Sequence, residues 1–191
     1  ANATSFGTSS NQSNGGTCMS SETRAVFVLT GGNVMEYVTI ATTGNTTDFG
    51  DQGIDDNLSK PAGLASPTRG IVSGGYGPSP YPQSDTIEYI TIATTGNGTD
   101  FGNLTFGHSG HFGVSNTTRG VFAKGYTFPS PATVAYNTIE YITIASTGNA
   151  TDFGDATNSV SQGYSHASHI RGVFSGGTTP ADVNTIDYIT I

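Results

Sequence analysis

Short segments rich in β-branched and aromatic residues recur along the chain, and Gly, Pro or Asn residues bound them. Two examples are RGVFAKGYT at 119–127 and TIEYITIAS at 138–146. Segments of this length and composition between turn residues are typical of β-strands. Because strong helix formers such as Lys, Gln and Leu are scarce, the pattern predicts an all-β protein.

One unit with an arginine at its start occurs four times, at 24–37, 69–89, 119–141 and 171–188. The third unit shows four segments of strand length: HFGVSNTT, RGVFAKGYT, TIEYITIAS and NATDFGDAT. The arginines are 45, 50 and 52 residues apart. Four short antiparallel strands in a repeat of this length predict the blades of a β-propeller. We predict one repeat domain over 1–191, with blades at about 8–54, 55–106, 107–157 and 158–191 and a separate strand at 1–7.

The run RGIVSGGY, a variable loop and then DTIEYITIATTGNGTDFG resemble a kelch repeat. In that family a strand ending in a double glycine precedes a tyrosine-containing strand and an outer strand with an aromatic residue. Glycine pairs stand at 31–32, 74–75 and 176–177, and Lys124 replaces the first glycine in the third unit. The repeats are also similar to those of environmental phage virion and microbial surface fibre proteins. The resemblance implies a kelch-like propeller of four four-stranded blades.

The N-terminal segment ANATSFG matches NATDFG at 149–154, the start of an outer strand, whereas the fourth unit contains only three of the four segments. We therefore expect an N-terminal strand to complete the last blade. Donation within the chain closes a ring, donation to the next molecule gives a head-to-tail polymer, and the units can also be part of a larger array.

Each unit pairs a basic with an acidic residue, which predicts a fourfold set of ion pairs. We expect these pairs to be structural, because a residue repeated in every blade serves the blade. The residues are Arg24, Arg69, Arg119 and Arg171 with Glu36, Glu88, Glu140 and Asp187.

No residue pattern predicts catalysis or a metal cofactor. The DFGD motif, at 48–51 and 152–155, is incomplete in the other units, so turn capping is its expected role. Two histidine pairs, His108 with His111 and His166 with His169, lie at unequal distances from their arginines, and residues three apart in a strand face opposite sides. The single cysteine, Cys18, forms no disulfide within the chain, and we expect it to be buried.

Eight asparagines begin N-x-S/T sequons, which makes them candidate glycosylation sites: Asn2, Asn11, Asn45, Asn57, Asn97, Asn103, Asn116 and Asn149. Four of them, at 2, 45, 97 and 149, are copies of one position of the repeat. A preceding glycine at three of these positions predicts tight hairpin turns with positive φ.

The composition limits the kinds of molecule that the protein is expected to bind. Six basic against fourteen acidic residues leave no cationic surface for nucleic acid or anionic lipid, and no apolar run is long enough to span a bilayer. Only 10% of residues are charged, whereas 20 Ser and 30 Thr supply polarity. These features and the repeats suggest a non-catalytic structural subunit of an extracellular filament or virion appendage, with copies of itself as partner and no cofactor.

The alternative is a propeller that binds carbohydrate or protein for adhesion. Its variable loops, at 76–85, 126–137 and 178–184, contain most of the prolines and several aromatic residues. Aromatic rings beside prolines are suited to stacking on sugars. The candidate residues for ligand binding or assembly are Tyr76, Tyr81, Tyr126, Phe128 and Tyr136.

Overall fold

A computed structural model describes residues 2–11, 13, 15–53, 58–77, 83–128, 133–178 and 181–191. All regular elements within these ranges are β-strands. Blade 1 contains β1 (Thr17–Ser20), β2 (Arg24–Val28), β3 (Val34–Thr39) and β4 (Thr47–Asp51). Blade 2 contains β5 (Ala62–Ala65), β6 (Arg69–Ser73), β7 (Thr86–Thr91) and β8 (Thr99–Asn103). Blade 3 contains β9 (Phe112–Ser115), β10 (Arg119–Ala123), β13 (Thr138–Thr143) and β14 (Thr151–Asp155), with the small hairpin β11 (Tyr126–Thr127) and β12 (Val134–Ala135) between β10 and β13. Blade 4 contains β15 (Tyr164–Ala167), β16 (Arg171–Ser175) and β17 (Ile186–Thr190).

Each blade is an antiparallel sheet whose strands lie side by side in chain order. The register repeats as well: Arg24 pairs with Thr39, and Arg69 with Thr91. A bulge recurs between the third and fourth strands of blades 1, 2 and 3. The predicted all-β propeller of four blade repeats is therefore confirmed, with three strands in the last blade among the described residues.

The apolar cores lie between blades. One core joins Met19, Met35 and Phe49 of blade 1 to the following blade through Val72 and Ile90. Equivalent cores join blade 2 to blade 3 and blade 3 to blade 4. We call the surface of a blade that packs on the next blade its forward face, and the surface that packs on the preceding blade its rear face. The same names are used for the equivalent surfaces at the two ends, on blade 4 and blade 1.

Four inner strands surround a central channel. Its mouth, about 440 Å³ in volume, is lined by the turns at 20–22, 65–67, 115–117 and 167–169. Lys60 of blade 2 donates a 2.7 Å hydrogen bond from Nζ to Gln162 Oε1 of blade 4. Neighbouring inner strands contact one another, but β15 makes no comparable contact with β1.

The double glycine of the first repeat is displaced from its predicted place. Leu29 donates its N–H to the Val34 carbonyl, as Gly74 does to Thr86, so Leu29 is equivalent to the first glycine. Gly31 and Gly32 instead lie in the short turn between β2 and β3. Blade 1 therefore lacks the double glycine at the end of the second strand that is typical of a kelch repeat.

Candidate functional site

An acidic side chain in the third strand of each blade accepts hydrogen bonds from the segment that comes before that blade in the chain. Glu88 Oε2 accepts a 3.0 Å hydrogen bond from the Gly53 N–H, and Glu140 Oε2 accepts one of 2.7 Å from the Thr105 N–H. In blade 4 the acceptor is Asp187, bonded by the Thr157 hydroxyl. These contacts are called the acid clamps, and each donor stands four residues after the phenylalanine of the preceding outer strand.

Blade 1 has the same clamp, and its donor belongs to the N-terminal segment. Glu36 accepts hydrogen bonds from the Ser10 hydroxyl and, at 3.2 Å, from the Ser10 N–H. Burial acts to raise the pKa of Glu36, but the hydrogen bonds from Ser10 and Thr46 outweigh it and hold the pKa below its ordinary value. The clamp therefore favours the charged carboxylate.

Residues 6–10 occupy the place of a preceding outer strand on the rear side of blade 1. The Gly44 N–H donates to the Phe6 carbonyl, as the Gly96 N–H donates to the Phe49 carbonyl in the next blade. The Thr8 N–H donates to Asn45 Oδ1 at 3.1 Å, which repeats the bond from Asp51 to Asn97. The structure thus shows a strand position of a blade that would precede blade 1.

The chain's own N-terminal segment does not complete blade 4. Residues 2–9 form no ladder with β17, and their hydrogen bonds go to blade 1. Closure of a ring by the chain itself, one of the three predicted arrangements, is therefore absent from the described residues. The outer edge of β17 has no neighbouring strand in the described part of the chain.

The rear face of blade 1 forms an apolar groove of about 420 Å³. Phe27, Val38 and Ile40 line it, and Phe6 forms part of the rim. The register makes Val38 and Ile40 the equivalents of Ile90 and Ile92, which are buried against the preceding blade. The groove therefore consists of positions that are buried between blades elsewhere in the chain but have no neighbouring blade here.

The forward face of blade 4 is exposed in the same way. Ile186 is 66% exposed, whereas Ile139 at the same position of blade 3 is 3% exposed. Tyr188 and Tyr164 are also exposed, although Phe112, the equivalent of Tyr164, is buried. Both ends of the propeller therefore expose positions that are buried between blades elsewhere in the chain.

The predicted ion pairs between the repeat arginines and the acids do not form. Each guanidinium instead stacks on the tyrosine of its own blade, at 4.2 Å from the ring centroid for Arg24 on Tyr37 and 4.8 Å for Arg119 on Tyr141. The reason is strand alternation: Tyr37 lies diagonally across from Arg24 on one face, and Glu36 points to the other. The prediction paired Arg24, Arg69, Arg119 and Arg171 with Glu36, Glu88, Glu140 and Asp187, and the observed partners are Tyr37, Tyr89, Tyr141 and Tyr188.

Two of these arginines also bridge blades. Arg24 Nη1 donates a 2.8 Å hydrogen bond to the Ile92 carbonyl of blade 2, and Arg69 Nη1 donates one of 2.8 Å to the Ile144 carbonyl of blade 3. These two contacts join neighbouring blades, and the structural role predicted for the repeated arginines stays a prediction.

His108 and His111 meet in a buried cluster, with ring centroids 4.4 Å apart. They precede β9 and are not in a strand, so the expected opposite orientation was wrong. His108 Nδ1 donates to the Phe106 carbonyl at 2.9 Å, and His111 Nε2 lies 2.9 Å from Ser73 Oγ. Burial lowers the pKa of His108 to about 4 and that of His111 well below its ordinary value. Both rings are therefore neutral at pH 7, whereas His166 and His169 are exposed.

We predict that acid weakens the fold between pH 6.5 and 4 because of these histidines. In this range the histidines of the unfolded chain bind protons, whereas the buried rings of the folded chain stay neutral. The free energy of unfolding therefore falls as pH falls. The slope is at most about 1.4 kcal/mol per pH unit for each histidine. Glu140 lies close to these rings, with its Oε1 3.8 Å from His108 Nε2. Burial raises the pKa of Glu140, so the folded chain takes up this proton more readily than the unfolded chain, and this opposes part of the loss of stability.

Urea unfolding at pH 7 and pH 4.5 measures this effect. His108→Leu introduces the residue found at the equivalent position 58 and should reduce the pH dependence. Equal pH dependence in the variant and the natural chain would show that His108 does not cause it.

The candidate glycosylation sites differ in accessibility. Asn45, Asn97 and Asn149 are exposed, and each accepts a backbone hydrogen bond from the preceding outer strand or N-terminal segment through Oδ1. Of the glycines that precede them, Gly96 and Gly148 have the predicted positive φ, at 158° and 155°, whereas Gly44 does not. The three asparagine side chains also link blades. Asn2, Asn11 and Asn103 are exposed, and Asn57 lies outside the described residues. Asn116 is half-buried, and its Nδ2 donates to the His169 and Ile191 carbonyls.

The aromatic residues of the variable loops have unequal roles. Tyr126 is 1% exposed and belongs to the core, so it is not available to a ligand. Phe128 is exposed and makes edge contacts with Tyr76 and Tyr126, with centroids 5.8 and 4.7 Å apart. Tyr136 is half-buried and lies 3.2 Å from the Thr127 hydroxyl, and Tyr81 lies outside the described residues.

Cys18 is exposed and lines the channel, which corrects the expectation of burial. Within the described ranges, no three His, Cys, Asp or Glu side chains are grouped to hold a metal ion. The part of the chain that the structure describes also contains no helix long and apolar enough to cross a bilayer.

No family model matches the sequence, and none of the curated proteins matches it. Among solved structures, that of YjhT matches 83% of this chain with a TM-score of 0.68 and 13% sequence identity. The chain has a β-propeller fold. At this identity the similarity shows the fold alone, and the chain spans about half the length of YjhT, since it covers 49% of that protein. The resemblance to kelch repeats and to phage or surface fibre proteins remains a prediction.

Proposed function

We propose that the chain is a non-catalytic structural subunit of an extracellular filament, such as a surface fibre or a virion appendage. The forward face of blade 4 in one copy packs on the rear face of blade 1 in the next. The observation that carries this proposal is the pair of open faces, because both consist of positions that are buried at the three interfaces within the chain.

The N-terminal segment supports the same arrangement. Residues 6–10 are already attached to blade 1 with the hydrogen bonds of a preceding outer strand. If another copy's blade 4 precedes blade 1, residues 2–7 lie beside the open edge of its β17 and supply the fourth strand. Strand addition contributes backbone hydrogen bonds and the two apolar faces contribute burial, so the contact is heterologous and propagates head to tail.

The composition suits an extracellular location. Ser and Thr supply most of the surface polarity, and the sequon asparagines are mostly exposed. Attached sugars at Asn45, Asn97 and Asn149 would project from the outer turns.

Two end-blocking variants test the assembly. Ile186→Asp places a charge on the forward face of blade 4, and Phe27→Asp places one in the groove of blade 1. We expect each variant alone to stay monomeric in sedimentation velocity at concentrations where the natural chain polymerises. An equimolar mixture should give dimers only, because each variant retains the end that the other has lost.

Val134→Asp is the matched control, since Val134 is an exposed apolar residue of β12 on neither end face. It should polymerise like the natural chain. Monomeric behaviour of the natural chain at all concentrations, or polymerisation of both end-blocked variants, would refute head-to-tail packing.

A binding module is the second candidate, and the exposed Phe128 beside Tyr76 favours it. An exposed ring with an aromatic neighbour offers a stacking surface for a sugar. A glycan array should then show binding that Phe128→Ala abolishes and Val134→Ala preserves. Binding no higher than background for the natural chain would refute this candidate.

A further inference from the structure

A buried lysine, an asparagine and an aspartate meet at the interface of blades 3 and 4. Lys124 Nζ donates hydrogen bonds of 2.8 Å to Asn158 Oδ1 and 2.8 Å to Asp187 Oδ2. Lys124 is 1% exposed, and its Nζ lies 5.9 Å from the ring centroid of Phe112. Phe112 in turn stacks on the fully buried Phe174. The amine therefore has two polar neighbours in surroundings that are otherwise apolar.

Neither the repeat nor the backbone favours a lysine at this position. The equivalent residues are Gly74 and Gly176, and Lys124 has a φ of 63°, close to theirs. A non-glycine residue in this region carries a backbone cost, because its Cβ lies too close to the following carbonyl oxygen. Asn158 is also specific to this interface, since the equivalent position before blade 3 is Phe106. Both departures from the repeat occur at one contact.

We propose that Lys124 and Asn158 form an intramolecular isopeptide bond, with Asp187 as the group that transfers the proton. The nucleophile touches the oxygen of the amide it would attack, and the carboxylate that would accept its proton is within hydrogen-bonding distance. The fold holds the three groups together, which replaces a collision between separate molecules.

The reaction needs no further reagent. Asp187 accepts a proton from the Lys124 ammonium, and the free amine attacks Cγ of Asn158 to form the new C–N bond. The amine gives up its second proton to the departing Asn158 nitrogen, and the old C–N bond breaks. Ammonia leaves and takes up the proton that Asp187 held, so the carboxylate is restored.

The bond would close a covalent loop from 124 to 158 that contains β13 and β14. The two outer strands of blade 3 could then not be pulled away from β10. This inference rests on the contacts of the three side chains and is independent of assembly. The chain can form the bond whether or not it polymerises.

Intact-mass spectrometry of the denatured chain, made in a host without N-glycosylation, tests the proposal. We expect a mass lower than the sequence mass by one ammonia molecule. Trypsin should fail to cleave after Lys124, so that 120–171 remains one peptide with the same deficit, and fragmentation should place the link at Lys124 and Asn158.

Asp187→Asn should retain the full mass, and so should Lys124→Gly, which restores the residue of the equivalent positions 74 and 176. Circular dichroism establishes that both variants are folded. An unchanged mass of the natural chain would refute the proposal. Loss of water in place of ammonia would also refute it, because the lysine would then be joined to Asp187.

Discussion

Replacing Phe122 with alanine should lower the free energy of unfolding by about 3–5 kcal/mol. Phe122 is 0% exposed and packs in the core between blades 2 and 3, beside Leu64 and Ile87. Removal of the ring loses its burial and leaves a cavity that a β-sheet interface cannot fill by collapsing. Urea unfolding of the monomeric chain measures the difference. Both proteins carry Ile186→Asp, which should prevent the proposed head-to-tail contact.

Phe27→Ala is the matched control, because Phe27 occupies the same position of the repeat in blade 1. Phe27 is half-buried and lines the open groove, so we expect a loss of roughly 1 kcal/mol in the monomer. In a chain with both ends intact, Phe27→Ala should weaken polymerisation. Equal losses of monomer stability at Phe27 and Phe122 would contradict an open rear face on blade 1.

Gly102→Ala should destabilise the protein more than Gly154→Ala, by about 1–3 kcal/mol. Both glycines lie at the same place in an outer strand, with φ of 144° and 132°, so both substitutions carry a similar backbone cost. A Cβ at Gly102 would lie 2.5 Å from the Gly148 carbonyl oxygen, a backbone atom of blade 3. A Cβ at Gly154 would meet no described atom within 4 Å.

Thermal and urea unfolding of the two variants give the comparison. The difference between them isolates the packing of an outer strand on the turn of the following blade, because the conformational cost is shared. Equal destabilisation would mean that the outer strands do not approach the next blade closely, contrary to the hydrogen bond from the Gly148 N–H to the Phe101 carbonyl.

The repeat made the fold accessible from sequence, because each unit contains recognisable strands at nearly fixed spacing. The partners of the repeated charges were harder to predict. Arg24 and Glu36 are the charged residues of one unit, yet strand alternation sends Glu36 to the rear face and leaves Tyr37 beside Arg24. The alternation is readable in sequence, and applying it to the arginine would have identified the tyrosine.

Contacts between units were harder to predict from the sequence, because they depend on how far neighbouring blades rotate against one another. The similarity of residues 1–7 to an outer strand indicated their position, but not that Phe6 and Thr8 would attach to blade 1 in place of β17. The contact of Lys124 with Asn158 and Asp187 joins segments that no local pattern relates. Its signal in the sequence was a lysine where the repeat has glycine.

Electron microscopy of the purified chain at a resolution that separates strands tests head-to-tail packing most directly. We expect a polymer in which blade 4 of each copy packs on blade 1 of the next and residues 2–7 pair with the neighbour's β17. Isolated closed rings in which residues 2–7 pair with β17 of the same chain would contradict it.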